Sequence, residues 1–165
     1  SNPGSVSISL GGVGRNIAHN LSLLGTEVRM LTAYGDDLNG ERVAASCSSL
    51  GIDLSHARHI TGGTTSTYLY LTDPEGEMAL AVSDMEICER ISPAYLAANL
   101  SQLQNAQVVV ADANIPAESL EILAQIGAWM DKNADSIRTG SNSRFTHRRA
   151  RRYRIRSARP FHGPR

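Results

Sequence analysis

Apolar residues over the first 126 positions follow two periods, and the switches between them set out the chain. Val6, Ile8 and Leu10 alternate with Ser5, Ser7 and Ser9, a period of two that predicts a half-buried strand. Ile17, Leu21 and Leu24 recur at helical spacing up to Gly25, which predicts a helix with a glycine stop. Val28, Met30 and Leu31 lie in a short apolar stretch ending at Ala33, read as a buried strand, and the turn YGDDLNG follows. Val43, Cys47 and Leu50 mark a second helix, ended by Gly51. After the cluster TGGTTST, the runs YLYLT and EMALAVS flank DPEG, and alternation around such a turn predicts a β-hairpin. Ser92 and Pro93 have the character of an N-cap and first helical residue, with Leu96, Leu100 and Leu103 following on one face. The apolar run VVVADANI predicts a strand ending in polar residues, and Pro116 opens a helix through Leu120, Leu123 and Ile126. Strands alternating with helices predict an α/β fold with a parallel sheet flanked by helices, the hairpin being an antiparallel insertion.

The stretch SLGGVGRN, residues 9–16, places three glycines within four positions at the first predicted strand-to-helix turn. Free amides at a helix start, beside residues without a β-carbon, suit a polar or anionic ligand. The stretch lacks the Lys-Ser/Thr ending of a P-loop and the third glycine of a dinucleotide fingerprint. Ligands of parallel sheets lie beyond the carboxyl ends of the strands, and Asp112 and Asn114 fall at one such predicted end. Together with Asn16 they offer amide and carboxylate groups, which suit a neutral ligand rich in hydroxyls. Each residue also has a plain structural use. Gly11 and Gly12 serve equally as a turn, Asn16 as a helix-start cap, Asp84 as a strand end and Asp112 as a helix-cap neighbour. Ser66, Thr67 and Tyr68 are, one by one, ordinary strand residues, and His19 is expected at the surface.

Charge divides the chain where the periodicity stops. Residues 1–126 hold five Arg, no Lys and 14 acids, a net −9, whereas residues 127–165 hold ten Arg, one Lys and two acids, a net +9. The second segment, running through RFTHRRARRYRIRSARPFHGPR, has almost no aliphatic residues and is expected to be an irregular, disordered tail. The hydrophobic fraction is 41% with no apolar run of membrane-spanning length, so a soluble protein with no membrane partner is expected. The opening SNPG has none of the character of a signal peptide. Cys47 and Cys88 have no metal-type spacing and read as reduced thiols, which fits a cytoplasmic protein.

GGVGRNIAHNLSLLG resembles the first signature of the ribokinase-like (pfkB) carbohydrate kinases, a Gly-Gly pair followed after three residues by Asn. YGDDLNG, the hairpin TSTYLYLTDPEGEMALAVSDM and VVVADANI follow in that family's order. The hairpin wording, with GEM before its second strand and DM after it, is nearest to members acting on nucleosides such as pseudouridine. The resemblance covers about residues 1–126. It implies a partial ribokinase-like domain with a hairpin lid, and ATP- and Mg2+-dependent transfer to the 5′-hydroxyl of a ribosyl compound. It assigns the glycine motif to the sugar, with Gly11 and Gly12 allowing close approach and Asn16 bonding its hydroxyls. Ser66, Tyr68 and Asp84 would belong to the lid, and Asp112 and Asn114 to further sugar contacts; a homodimer through the lid hairpin is also expected.

The sequence departs from the family in two places. The sugar-clamping Asp of the family's first strand is missing, and so is the Gly-Ala-Gly-Asp motif that carries the catalytic Asp. After Ile126 the family would continue into another apolar strand, but GAWMDKNADSIRTGSNSRF stands there instead and reads as a frame change or a fused foreign end. No catalytic or metal-binding residue is therefore assigned, and the chain is expected to be an inactive truncation without the ATP site. Two other classes fit the same residues: a sugar- or nucleoside-binding module without catalysis, and a nucleic-acid binder acting through the Arg-rich tail, where HRRARRYRIR interleaves Tyr153 with arginines. For the tail itself, native-state hydrogen exchange should find no protected amides beyond about Met130, because so few aliphatics cannot offset chain entropy. Slow exchange across residues 138–156 would instead mark it as part of a folded core.

Overall fold

The computed structural model describes residues 4–132. They fall into two units, one ending at Arg90 and the other beginning at Ile91. In the first, α1 (Val13–Leu23) starts directly after Gly12 and ends ahead of Gly25, as the spacing predicts. Its buried stripe centres on Ala18, while Ile17 and Leu24 stay exposed. Ala18 packs with Cys47 and Ile52, and Val28, Met30, Val43, Leu50 and Leu54 close around them.

β1 (Ala33–Gly35), α2 (Leu38–Ser49) and β2 (Arg58–Ile60) form a parallel crossover, with Ala33 opposite Arg58 and Gly35 opposite Ile60. The strand expected before Ala33 is only partly regular. Arg29 and Asp53 form an isolated parallel bridge, with the Met30 amide donating to the Asp53 carbonyl at 2.9 Å and the Asp53 amide to Val28 at 2.9 Å. Between this bridge and β1–β2 the register slips by one residue, taken up by a turn in which the Ala57 amide donates to the Leu54 carbonyl at 2.9 Å.

Asp37 ties the end of this crossover together. It caps α2, its Oδ1 accepting from the Gly40 amide at 2.7 Å and from the Thr65 hydroxyl at 2.6 Å. Its Oδ2 accepts from the Thr65 amide at 2.8 Å, and the Thr65 hydroxyl in turn accepts from the Gly35 amide at 2.9 Å. The neighbouring Asp36 receives the Gly62 amide at 3.0 Å on either oxygen. The loop is closed so tightly that a β-carbon on Gly40 would lie 2.1 Å from the Gly35 carbonyl oxygen.

The expected hairpin follows as β3 (Thr67–Thr72) and β4 (Met78–Asp84), antiparallel, with Thr67 opposite Asp84 and Leu71 opposite Leu80. Its turn is fastened by Asp73, whose side chain accepts from the Glu77 amide at 2.8 Å. A short 3-10 helix, Glu86–Arg90, then buries Ile87.

The second unit is helical among its described residues. Ser92 caps α3 (Pro93–Ala98) by accepting from the Tyr95 amide at 3.3 Å, with Pro93 in the first helical turn as predicted. α4 (Leu100–Gln104) begins after Asn99, which is buried and donates back to the Tyr95 carbonyl at 2.9 Å. This break turns Leu100 outward, so Leu96 and Leu103 are buried but Leu100 is not, contrary to the single face expected. α5 (Ala117–Lys132) supplies Leu123 and Ile126 to the core, and its buried Ser119 donates to the Ile91 carbonyl at 2.6 Å.

Two expected strands do not form. Residues 5–10 lie in no strand, and Val6 and Ile8 are exposed; with Leu10, Arg42 and Ala45 they line a shallow groove. Residues 107–112 likewise lie in no strand, with Val108 and Val110 exposed. Both carry strand periodicity, but a strand needs a neighbour for its amides and carbonyls, and neither finds one among the described residues. α5 runs past Ile126 to Lys132, and the expectation of an irregular tail falls otherwise on residues 133–165, outside those described.

The Thr65 hydroxyl above all holds the Asp37 carboxyl below its ordinary range; burial opposes it, and the backbone amides of Thr65 and Gly40 add to the lowering. A group so depressed contributes stability above its unfolded pKa of about 3.9 and loses it as pH falls through the lower folded value. Asp37→Ala should cost about 1–2 kcal/mol at neutral pH, as loss of a cap with its bonds. Thermal melting should also show a shallower decline below about pH 4 in the variant than in the parent chain. Equal acid-side declines would show that Asp37 is not the coupling group.

Candidate functional site

The glycine turn is built by backbone conformation. Gly12 has φ 89° and ψ 130° and precedes α1 without a side-chain cap; residues with a β-carbon are strained in this region. Gly11 faces open space, since a β-carbon there would meet nothing within 4 Å. Asn16 lies one turn inside the helix, its amide donating to the Gly12 carbonyl at 2.9 Å, so it does not cap the helix start. Its side chain is exposed, and its Oδ1 accepts from Arg15 Nη1 at 3.4 Å. His19, expected at the surface, is half-buried, with Nδ1 3.4 Å from the same Arg15 nitrogen.

The residues expected to line a lid gather at the open end of the hairpin in the same unit. Ser66 Oγ is 3.4 Å from Cys88 Sγ, Tyr68 pairs with Ser83, and Asp84 ends β4 opposite Thr67. The hairpin has two unlike faces. Leu69, Leu71, Leu80 and Val82 share one, and Tyr68, Tyr70 and Met78 share the other. All seven are exposed. On the second face the tyrosine rings lie 6.1 Å apart, and the Tyr68 hydroxyl donates to Met78 Sδ at 3.3 Å.

Asp112 and Asn114 belong to the second unit and meet each other. Asp112 Oδ1 accepts from both the Asn114 amide at 3.0 Å and its Nδ2 at 2.9 Å. The pair forms a self-contained Asx-type turn ahead of α5 rather than standing at the end of a strand.

Three residues that sequence reasoning did not single out organise the first unit. Asp37 and Thr65 fix the loop below the hairpin, and the Asp ahead of an apolar helical run was a readable capping signal. Arg15 joins α1 to α2, its Nη2 donating to Ser46 Oγ at 2.6 Å; nothing in its sequence position marks that contact. Asp53 is held well below the usual carboxylate range, first by Ser55 and then by Arg29, whose Nε is 2.6 Å away. Both cysteines are free; Cys47 is buried, and burial pushes its thiol up. Among the described residues no group of three or more His, Cys, Asp or Glu is placed to hold a metal ion. No described helix is long and apolar enough to cross a membrane.

Known proteins match this arrangement. A pseudouridine kinase of Escherichia coli is 40% identical over 137 residues, covering 83% of this chain and 42% of its own length. An uncharacterised sugar kinase of the same organism is 39% identical over 137 residues, covering 83% of this chain and 36% of its own. The present chain thus spans about two fifths of the curated relatives it matches. The solved structure of a carbohydrate kinase from Agrobacterium tumefaciens superposes with a TM-score of 0.68 at 31% identity, over 79% of this chain and 43% of that one. The sequence model of the pfkB family carbohydrate kinases matches residues 1–150. With its glycine turn, its parallel crossover and its hairpin in that order, this chain belongs to the pfkB family of carbohydrate kinases.

Proposed function

We propose that this chain carries the sugar-binding part and lid of a cytoplasmic nucleoside kinase that phosphorylates the 5′-hydroxyl of pseudouridine or a related ribosyl compound. The observation that supports this most is Asn16. It is an exposed amide one helical turn beyond an open glycine turn, at the family's Asn position, and it does not cap the helix.

In this reading Gly11 and Gly12 let the backbone approach the ribose, and Asn16 bonds its hydroxyls. Ser66, Tyr68 and Asp84 line the lid that closes over the sugar and excludes water. Asp112 and Asn114, taken by themselves, are further candidate partners for hydroxyls. ATP with Mg2+ supplies the phosphoryl group and neutralises its charge in the complete enzyme. The described residues assemble no metal-ligating group for them, so both enter this proposal through the family alone. The sequence also lacks the Gly-Ala-Gly-Asp motif, so the 165 residues on their own would bind the nucleoside without phosphorylating it. The aliphatic hairpin face, exposed along its length, is proposed to meet its copy in a homodimer.

Calorimetric titration with pseudouridine should show binding to the chain, and Asn16→Ala should weaken it by about 1–3 kcal/mol, roughly five- to 150-fold. The melting temperature should stay level or rise slightly, since Ala favours a helix interior over Asn. Absence of binding by the parent chain, or binding untouched by Asn16→Ala, would remove the sugar assignment. Incubation with ATP, Mg2+ and pseudouridine should give no phosphorylated product above a protein-free control, and product would show that a catalytic base is present after all. Sedimentation should move from dimer to monomer in Leu71→Lys; a parent chain that is monomeric at micromolar concentration would rule out the lid interface.

A further inference from the structure

Arg15 is fixed more firmly than its neighbour. Its Nη2 donates to Ser46 Oγ at 2.6 Å, across 31 residues of chain. Ser46 precedes Cys47, a fully buried member of the core, so this anchor is set by packing. Arg15 Nε is buried and has no bonding partner among the described residues. Such a group is uncommon, and it indicates that the guanidinium is oriented by what its terminal nitrogens hold. Nη1 is the end turned toward Asn16 Oδ1 and His19 Nδ1, each at 3.4 Å.

We infer that Arg15 is a positioning residue for Asn16: anchored on α2, it occupies the amide oxygen and turns the two Nδ2 protons outward. An Asn side chain offers an acceptor oxygen with two lone pairs and two amide protons, and here Arg15 takes up one of the lone pairs. Asn16 therefore meets its ligand mainly through its two amide protons, and the ribosyl atom opposite them is an oxygen used as acceptor. This rests on the proposed role of Asn16 in binding the sugar, but the orientation of the amide can be measured without any ligand.

The test uses the full chain labelled with 15N, and the variants Arg15→Met, Ser46→Ala, Asn16→Ala and Arg15→Met/Asn16→Ala. Methionine keeps an apolar stem where the Arg stem packs. Without ligand, the heteronuclear NOE of the Asn16 side-chain amide should be that of an ordered group on the ps–ns timescale. It should fall in both Arg15→Met and Ser46→Ala while the α1 backbone amides keep theirs. With pseudouridine, Arg15→Met should weaken binding roughly three- to tenfold, the scale of one hydrogen bond. The double variant should bind no more weakly than Asn16→Ala alone, the signature of coupled residues.

An unchanged side-chain NOE in both single variants would overturn the inference, as would losses that multiply in the double variant. If Asn16→Ala binds pseudouridine like the parent, the sugar assignment falls, whereas the NOE still decides whether Arg15 orders the amide. Should Arg15→Met fail to fold, Ser46→Ala carries the same comparison.

Discussion

One carboxylate joins parts of the first unit that the chain holds far apart. Asp37 begins α2, receives the hydroxyl and amide of Thr65, and through that hydroxyl reaches the Gly35 amide at the end of β1. The helix start and the approach to the hairpin thus share one carboxylate, which reaches the sheet end through the Thr65 hydroxyl. A side chain without two acceptor oxygens could not receive both the Gly40 and the Thr65 amides in this geometry, and a partly buried unpaired amide is costly. The closeness of Gly40 to the Gly35 carbonyl follows from the same arrangement. The core of Ala18, Cys47 and Ile52 orients α1 and α2, but Asp37 fixes where the segment leading to the hairpin departs.

Much of this was readable because it is local. The limits of α1 and α2, the Ser92–Pro93 start of α3 and the hairpin register all depend on residues within a few positions of each other. The misreadings share the opposite cause. Val6 to Leu10 and Val108 to Val110 have the right alternation or apolarity for strands, yet pairing is a property of two segments and neither has its second. Periodicity places Leu100 on the buried face only for an unbroken helix, whereas the buried Asn99 amide interrupts it.

The site divides along the same line. Gly12 and Asn16 were legible as a motif, since a glycine pair and an Asn at fixed spacing form a local pattern. Which role Asn16 takes was not, because that depends on where the helix starts, and Gly12 precedes α1 in its stead. Arg15 carries no local signal, because its partner Ser46 lies on another helix. Asp112 and Asn114 have the sequence pattern of a strand end, but they stand in a turn ahead of α5 and bond to each other. Their polar atoms are partly committed before any ligand arrives.

The hairpin has a thermodynamic consequence of its own. Two strands with no fully buried side chain are marginal in water, so its order depends on what covers it. A molecule settling on either face would remove Leu69, Leu71, Leu80 and Val82, or the two tyrosines, from solvent. Burial of apolar surface lowers the heat capacity of the complex, and part of the contact energy goes into ordering the strands. Affinity measured at the hairpin would then understate the contacts made there, and heat capacity would report them more faithfully than the dissociation constant.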